Sequence, residues 1–224
     1  MRNEAEKLNL KNGLVIAENT YRADINRLGV KVFLGIKGYH QSKNAELASL
    51  ICDEWLLQTS NQRASSDLIN RGLINASLVG RHQIVARGTN LLLLDGAHTA
   101  NSLKDISQWF KDKAGNEFEM KVLIFYCGED KPCLELFKSI FGTFIPDLVL
   151  IVPPKNGKQS VKSLIEHCNN LKQIAESMIE CLVLIKEISK ITSIFDSHSR
   201  TAFLITGSFY LVGEILCEIE GIEY

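Results

Sequence analysis

Two residues whose side chains could do chemistry, Asp95 and His98, follow an abrupt change from apolar to polar sequence. Four leucines occupy residues 91–94, and the stretch GAHTA that follows Asp95 is too short for anything but a tight turn. A carboxylate in that position could accept hydrogen bonds from a pair of ribose hydroxyls or ligate a metal ion, and the alternative is that it caps a helix. His98 could contact a nucleotide or a reacting carboxyl group, and the alternative is a structural histidine.

Weaker candidates lie elsewhere in the chain. The TGS stretch at residues 206–208 is similar to an anion-holding turn before a helix, although serine is also common at helix N-termini. Arg81 could clamp a phosphate or be an ordinary surface charge. The sequence contains no GxGxxG, HExxH or GxSxG motif, and NGKQS at residues 156–160 lacks the glycine and the ending of a phosphate loop. These absences argue against dehydrogenases, zinc proteases and serine hydrolases.

The apolar pattern predicts the elements that position these residues. Spacing of Leu103, Ile106, Trp109 and Phe110 predicts one face of a helix that Thr99 or a neighbouring polar residue could cap. Strands are predicted at residues 14–18, 30–36, 82–86, 91–94, 120–127, 147–152 and 202–205. Helices are predicted at residues 2–9, 43–57, 67–73, 102–113, 134–141, 160–182, 183–195 and 209–219. This alternation predicts an α/β fold with crossover connections and a parallel sheet.

Three of the predicted strands end in polar clusters, at residues 95–99, 128–131 and 206–208. Because the carboxyl ends of parallel strands meet at one edge of a sheet, we expect Asp95, His98, Arg81 and Ser208 to converge there. In open α/β sheets this edge is the usual binding site.

Composition sets broad limits. The 224 residues are 46% apolar, which is enough for a packed core, and the net charge of −1 gives no indication of a nucleic-acid or membrane-surface partner. No apolar run approaches the length of a membrane-spanning helix. The six cysteines form no CxxC pair and show no zinc-like clustering with the five histidines. We therefore expect reduced, mostly buried cysteines, typical of an intracellular protein, and no metal ligands.

Four segments in order carry a resemblance to a known family. They are LGIKGYHQSKNAELA at residues 34–48, the GR pair at 80–81, LLLLDGAHTANS at 91–102 and LITGSFYLVGEIL at 204–216. Together they resemble the C-terminal portion of folylpolyglutamate synthases, members of the Mur ligase superfamily. The DGAHT form, with a serine three residues after the threonine and a WF pair closing the helix, is similar to the eukaryotic branch. The turn CGEDK at residues 127–131 is shorter than the family's usual turn and leaves roles for Glu129, Asp130 and Lys131 open.

The resemblance implies an architecture and a reaction. It implies a remnant of an ATP-binding central domain at residues 1–57, a linker at 58–79 and a Rossmann-like, mostly parallel C-terminal ligase domain at 80–224. The reaction would be ATP-dependent addition of L-glutamate to the glutamate tail of a reduced folate, through an acyl phosphate and with Mg²⁺. The alternatives are a dihydrofolate synthase or other Mur-type ligase, and a non-catalytic, degenerate paralogue.

The resemblance also implies roles for six residues. His98 would be catalytic, and the remaining five would contact ATP (Asn44 near the adenine, Arg81 at the phosphates, Asp95 at the ribose) or the incoming glutamate (Thr99, Ser208). Because the family carries its phosphate loop, metal ligands and most of its folate pocket in an N-terminal domain, we expect this chain to be inactive alone. We further expect a monomer in the cytoplasm or mitochondria, with small-molecule partners only.

Overall fold

The computed structural model describes residues 34–38, 41–155, 160–179, 181–185, 187–196 and 200–221. The chain divides into two compact units, Met1–Gly35 with His40–Ala76, and Ile36–Tyr39 with Ser77–Tyr224. The elements predicted at residues 2–9 and 14–18, and most of the strand predicted at 30–36, lie outside the described residues.

The described residues of the first unit form two helices, α1 (Gln41–Ser60) and α2 (Ser66–Asn75). Helix α2 begins where the side chain of Ser65 accepts a hydrogen bond from the backbone N–H of Leu68. Gly35 donates its N–H to the Leu73 carbonyl at 2.9 Å. A side chain at Gly35 would collide with the backbone of α2 and the residue after it, so this close approach requires a glycine.

The second unit is built on a six-stranded sheet. Its strands are β1 (Gln83–Arg87), β2 (Asn90–Leu94), β3 (Met120–Phe125), β4 (Leu148–Ile151), β5 (Leu182–Leu184) and β6 (Thr201–Thr206). Their order in the sheet is β1-β2-β6-β3-β4-β5. Only β1 pairs antiparallel with its neighbour, and the other pairs are parallel. The helices are α3 (Ala100–Ala114), α4 (Cys133–Phe141), α5 (Val161–Glu176), α6 (Ser189–Phe195) and α7 (Phe209–Glu220). This confirms the predicted α/β fold with a mostly parallel sheet.

The central strands are apolar runs because both faces of the sheet are covered. All six residues of β6 are buried, as expected for a parallel strand enclosed by helices. At the edge, β1 alternates between half-buried and exposed residues. Two residues, Gly88 and Thr89, join β1 to β2, and so short a connection can only produce an antiparallel pair.

Two predicted helices are wrong in their extent. The helix predicted at 160–182 ends at Glu176, and the helical stretch predicted at 183–195 contains the strand β5 before α6 begins at Ser189. The apolar run around β5 pairs with β4 instead, through hydrogen bonds from Val149 to Cys181 and from Ile185 to Ile151. No helix in the described part of the chain is both long and apolar enough to cross a membrane.

Candidate functional site

Three turns meet beyond the carboxyl ends of β2 and β6 and are fixed to each other by backbone hydrogen bonds. Gly96 donates its N–H to the Gly80 carbonyl at 3.0 Å, and Gly207 donates to the Ala97 carbonyl at 2.9 Å. Beyond the end of β3, the Tyr126 N–H lies 3.4 Å from the Thr206 carbonyl. The polar ends of three parallel strands therefore share one edge of the sheet, as the sequence predicted.

Asp95 lies at the centre of this edge with its carboxylate buried. Its Oδ1 accepts a hydrogen bond from Arg81 Nη1 at 3.3 Å, and its Oδ2 accepts one from the His82 N–H at 2.9 Å. The guanidinium offsets the cost of burying the carboxylate charge. Asp95 does not cap α3, because Thr99 holds the N-cap position. A carboxylate accepts about four hydrogen bonds, so the two present leave capacity for ribose hydroxyls.

Arg81 is held from two sides. Its guanidinium carbon lies 4.1 Å from the centre of the Phe209 ring, a cation–π contact, while Nη1 bonds to Asp95. Among the described residues this is the one hydrogen bond from its side chain, so the guanidinium retains N–H donors for an anion. Phe209, at the start of α7, was not among the predicted site residues, since nothing in the local sequence distinguishes it from a core phenylalanine.

Glycines allow these turns to approach each other. A Cβ at Gly96 would overlap the Phe209 ring, and a Cβ at Gly207 would overlap the Tyr126 carbonyl oxygen. Gly207 also has φ +99, a backbone conformation that side chains rarely adopt. The edge can therefore form only with glycine at both positions.

His98 lies on the exposed side of the same edge. Its Nδ1 is 2.9 Å from the Gly96 carbonyl oxygen. Because a carbonyl only accepts hydrogen bonds, Nδ1 carries the proton, and Nε2 of the neutral ring has the free lone pair. The ring centre lies 6.4 Å from that of Phe209, so the structure places His98 and Arg81 beside one aromatic ring, with Asp95 bonded to Arg81.

Thr99 and Ser208 both precede helices, but they differ in what their hydroxyls do. Thr99 Oγ1 accepts a hydrogen bond from the Ser102 N–H, and Ser102 Oγ accepts one from the Thr99 N–H, which is a capping box. Ser208 is half-buried in an extended conformation, and its side chain makes no capping bond to α7. Both residues lie at the predicted edge.

Asn44 belongs to the first unit. It is exposed in the first turn of α1, where its Nδ2 donates to Gln41 Oε1 at 3.0 Å. Its contact with adenine stays a prediction.

The position of His82 was not indicated by the sequence: its side chain is largely buried beside Asp95. Its backbone has φ +44, and its ring centre lies 4.8 Å from that of Trp109. Nδ1 is 2.9 Å from Asp95 Oδ2, yet neither ring nitrogen makes an aligned hydrogen bond within the described residues. His82 therefore supports the Asp95 carboxylate by packing and through its backbone N–H.

The cysteines correct a sequence prediction. Only Cys127 and Cys168 are buried, and Cys127, Cys133 and His167 come together, although their spacing in the sequence shows no cluster. The hydrogen bond between the two thiols, with burial, raises the pKa of Cys127, whereas the same bond lowers the pKa of Cys133. Burial alone raises the pKa of the Cys168 thiol to about 11. The cysteines are not mostly buried, and two of them adjoin a histidine.

Comparison with known proteins identifies what the chain is similar to. No model of a known protein family matches it. Folylpolyglutamate synthase of Saccharomyces cerevisiae (strain YJM789) is 27% identical in an alignment 226 positions long, which covers 86% of this chain and 41% of the yeast protein. The chain thus spans less than half the length of the curated relatives that it matches.

Solved structures give the same result for the fold. Folylpolyglutamate synthase of Mycobacterium tuberculosis, complexed with ADP and AMPPCP, superposes with a TM-score of 0.59 at 17% identity, covering 86% of this chain and 42% of that one. A bifunctional folylpolyglutamate synthase/dihydrofolate synthase with Mn, AMPPNP and L-glutamate bound superposes with a TM-score of 0.54 at 19% identity, covering 75% of this chain and 38% of that one. By sequence and by fold, this chain resembles the folylpolyglutamate synthases, as its four ordered motifs predicted.

Proposed function

We propose that this chain supplies the nucleotide- and glutamate-binding part of an ATP-dependent folylpolyglutamate synthase. The observation that carries the proposal is the buried Asp95 carboxylate paired with Arg81 over Phe209. This arrangement lies at the carboxyl edge of a parallel sheet, where α/β folds bind ligands. The sequence similarity to the yeast synthase supports the same function.

The reaction joins two carboxylate-bearing substrates. ATP phosphorylates the free carboxylate of a folate-linked glutamate, and the amine of an incoming L-glutamate attacks the acyl phosphate and expels phosphate. Catalysis of phosphoryl transfer depends on positioning and on balancing negative charge. A site for this reaction should therefore include a fixed cation near the ATP phosphates and fixed hydrogen-bond acceptors for the ribose hydroxyls.

Arg81 and Asp95 fit these requirements. Arg81 would bind the ATP phosphates with the N–H donors that Asp95 does not use, and its stacking on Phe209 orients the guanidinium in advance. Asp95 would accept hydrogen bonds from the ribose hydroxyls. Its two bonds to Arg81 and to the His82 N–H hold the carboxylate in place, so its position as an acceptor is fixed before the nucleotide binds.

His98 would be the catalytic residue of this chain. Its bond to the Gly96 carbonyl fixes the tautomer in which Nε2 is the basic nitrogen. A nitrogen in that state could accept a proton from the ammonium group of the incoming glutamate, which must lose it before attack. Thr99 and Ser208 would hydrogen-bond the same glutamate, and Asn44 would contact the adenine.

The divalent cation belongs to the rest of the proposed enzyme. Asp95 is paired with the Arg81 guanidinium, whose positive charge disfavours a metal ion at the same carboxylate. We propose Mg²⁺ as the ion that balances the transferring phosphoryl group. Its ligands would come from the part of the relatives' length that this chain does not match.

The proposal also assigns the domains. Residues 1–57 would belong to the ATP-binding central domain, 58–79 would be a linker and 80–224 the ligase domain. The boundary between the two compact units, at Ala76 and Ser77, falls inside the proposed linker and supports a division there.

A fusion enzyme tests this function. The part of the yeast synthase that this chain does not match is joined to this chain, and incorporation of labelled L-glutamate is measured with ATP and Mg²⁺. We expect incorporation into tetrahydrofolate. Preference for dihydropteroate would instead indicate a dihydrofolate synthase. A folded fusion that neither binds nucleotide nor incorporates glutamate would indicate a degenerate paralogue.

A further inference from the structure

A second group of chemistry-bearing side chains lies beyond the end of β3. Cys127 follows this strand, Cys133 begins α4, and His167 lies on α5. The two sulfur atoms are 3.2 Å apart. These atoms and one ring nitrogen of His167 all lie within 4.8 Å of one another.

The surroundings hold the group in place. Cys127 is fully buried and His167 nearly so, while Cys133 is partly exposed. His167 Nε2 lies 2.6 Å from the Cys127 carbonyl oxygen, and Tyr126 packs edge-on against the imidazole at 5.7 Å. Histidines that bind metals commonly donate their other N–H to a backbone carbonyl, which fixes the ring. Binding through Nδ1 would leave the bond to Cys127 intact.

We propose that Cys127, Cys133 and His167 form a binding site for one thiophilic transition-metal ion, for which Zn²⁺ is the best match. Thiolate and imidazole ligands select zinc over Mg²⁺ and Ca²⁺, which prefer oxygen ligands. Zinc bonds of about 2.0–2.3 Å place tetrahedral ligand atoms about 3.5–4 Å apart. Small side-chain movements that separate the two sulfur atoms and adjust the imidazole would bring the three ligand atoms to those separations.

The fourth coordination position would lie on the side of Cys133, the most accessible of the three ligands. Water or an added ligand could occupy it, as in zinc sites with three protein ligands. The proposal is independent of the proposed ligase function, since it uses none of Arg81, Asp95 or His98.

The competing explanation for the paired sulfurs is a disulfide. Their separation of 3.2 Å is longer than a disulfide bond of about 2.05 Å, and both cysteines are free. A disulfide would join Cys127 to Cys133 and would not involve His167. The histidine therefore distinguishes the two explanations.

The test measures zinc binding by the full 224-residue chain. Protein is purified under reducing conditions, stripped with a chelator, reloaded with zinc sulfate and desalted, and its zinc content and affinity are measured. We expect one zinc per chain. Cys133→Ser and His167→Gln should each weaken zinc affinity by more than about tenfold, because each removes one ligand.

Cys168→Ser is the matched control. Cys168 is buried next to His167 on α5 but lies outside the group of three, so its substitution perturbs the same helix and should leave zinc affinity unchanged. Zinc should raise the melting temperature of the wild type and of this control, and not that of the His167→Gln variant. Circular dichroism of every variant identifies any that has failed to fold.

Cobalt substitution provides a readout of the ligand set. Co²⁺ in the site should give sulfur-to-cobalt charge-transfer absorption in the wild type and in Cys168→Ser, and lose intensity in Cys133→Ser. Zinc binding that is unchanged in His167→Gln would overturn the proposal. So would absence of zinc binding by the reduced protein together with ready formation of a Cys127–Cys133 disulfide.

Discussion

A single carboxylate, Asp95, has two tasks in this structure. It holds the Gly80–His82 turn against the sheet through Arg81 and the His82 N–H, and it is proposed to accept the ribose hydroxyls. The first task affects folding and the second affects nucleotide binding. Substitution of Asp95 should therefore change both, and only a suitable control separates them.

In the fusion enzyme, Asp95→Ala should raise the KM for ATP more than the KM for glutamate. Loss of hydrogen bonds to a charged group costs about 1.5–3 kcal/mol, which corresponds to a roughly ten- to hundredfold weaker interaction. Steady-state kinetics with each substrate varied in turn measures the difference. The melting temperature of the same variant should also fall, because Arg81 and the His82 N–H lose their acceptor.

Asn90→Ala is the matched control. Asn90 is equally buried at the other end of β2, where it bonds to the Phe195 carbonyl and the Thr201 N–H. Its loss should lower stability without raising the KM for ATP in the folded enzyme. Equal KM values for ATP in the Asp95 and Asn90 variants would remove Asp95 from the nucleotide site.

The position of Asp95 could be predicted from the sequence, but its partners could not. A buried run of leucines followed by a polar turn places the carboxylate at the end of a strand. Its bond to Arg81 joins residues 14 positions apart in the sequence, and the contact between Arg81 and Phe209 joins residues 128 positions apart. Such tertiary contacts cannot be read from local sequence. The alternative role of Asp95 as a helix cap is excluded, because Thr99, itself a cap candidate from the sequence, holds the N-cap of α3.

Among the elements, α3 couples folding to the candidate site most directly. Its capping box joins Thr99 and Ser102 through two reciprocal hydrogen bonds. Thr99 is also a proposed glutamate contact, and a hydroxyl that accepts a bond from the backbone can still donate one. Ser102 completes the box without a proposed substrate contact.

Thr99→Ala should therefore cost about 1 kcal/mol of stability through loss of the cap. It should also raise the KM for glutamate by roughly two- to tenfold, the effect expected for one neutral hydrogen bond. Ser102→Ala should lower stability and leave that KM unchanged. Denaturant unfolding and glutamate titrations of the two fusion variants measure these effects. A KM for glutamate that is the same in both variants would limit Thr99 to capping.

The elements show where sequence patterns are informative. The runs in β2, β3, β4 and β6 are apolar, rich in Leu, Ile and Val and bounded by polar turns, so they were recognised as strands. The apolar stretch around β5 was assigned to helices, because a short apolar run fits either structure and only its pairing with β4 decides. The direction of β1 follows from its two-residue connection to β2, which allows only an antiparallel pair.

For the whole molecule, the decisive question is what the chain can do alone. Its 224 residues contain no GxxxxGK[ST] phosphate loop, and they match 41% of the length of the yeast synthase. The backbone N–H groups and lysine of such a loop preorganise a site for the γ-phosphate of ATP, and this sequence does not supply them.

The isolated chain should therefore show no ligation of glutamate with ATP, Mg²⁺ and tetrahydrofolate. Product formation from labelled glutamate measures this, with the fusion enzyme as the positive control. Magnesium-dependent turnover by the isolated chain would contradict the expectation and would require a phosphate site built from the residues present.

The place of β6 in the sheet sets an order of assembly. This strand is the last of the six along the chain, yet it lies between β2 and β3 and joins them by hydrogen bonds. Before residues 201–206 have been synthesised, the strand that joins the β1–β2 hairpin to β3, β4 and β5 is absent. All six residues of β6 are buried in the finished sheet, so the core of this unit can be completed only after residues 201–206 have been synthesised, and apolar surface exposed before then favours aggregation.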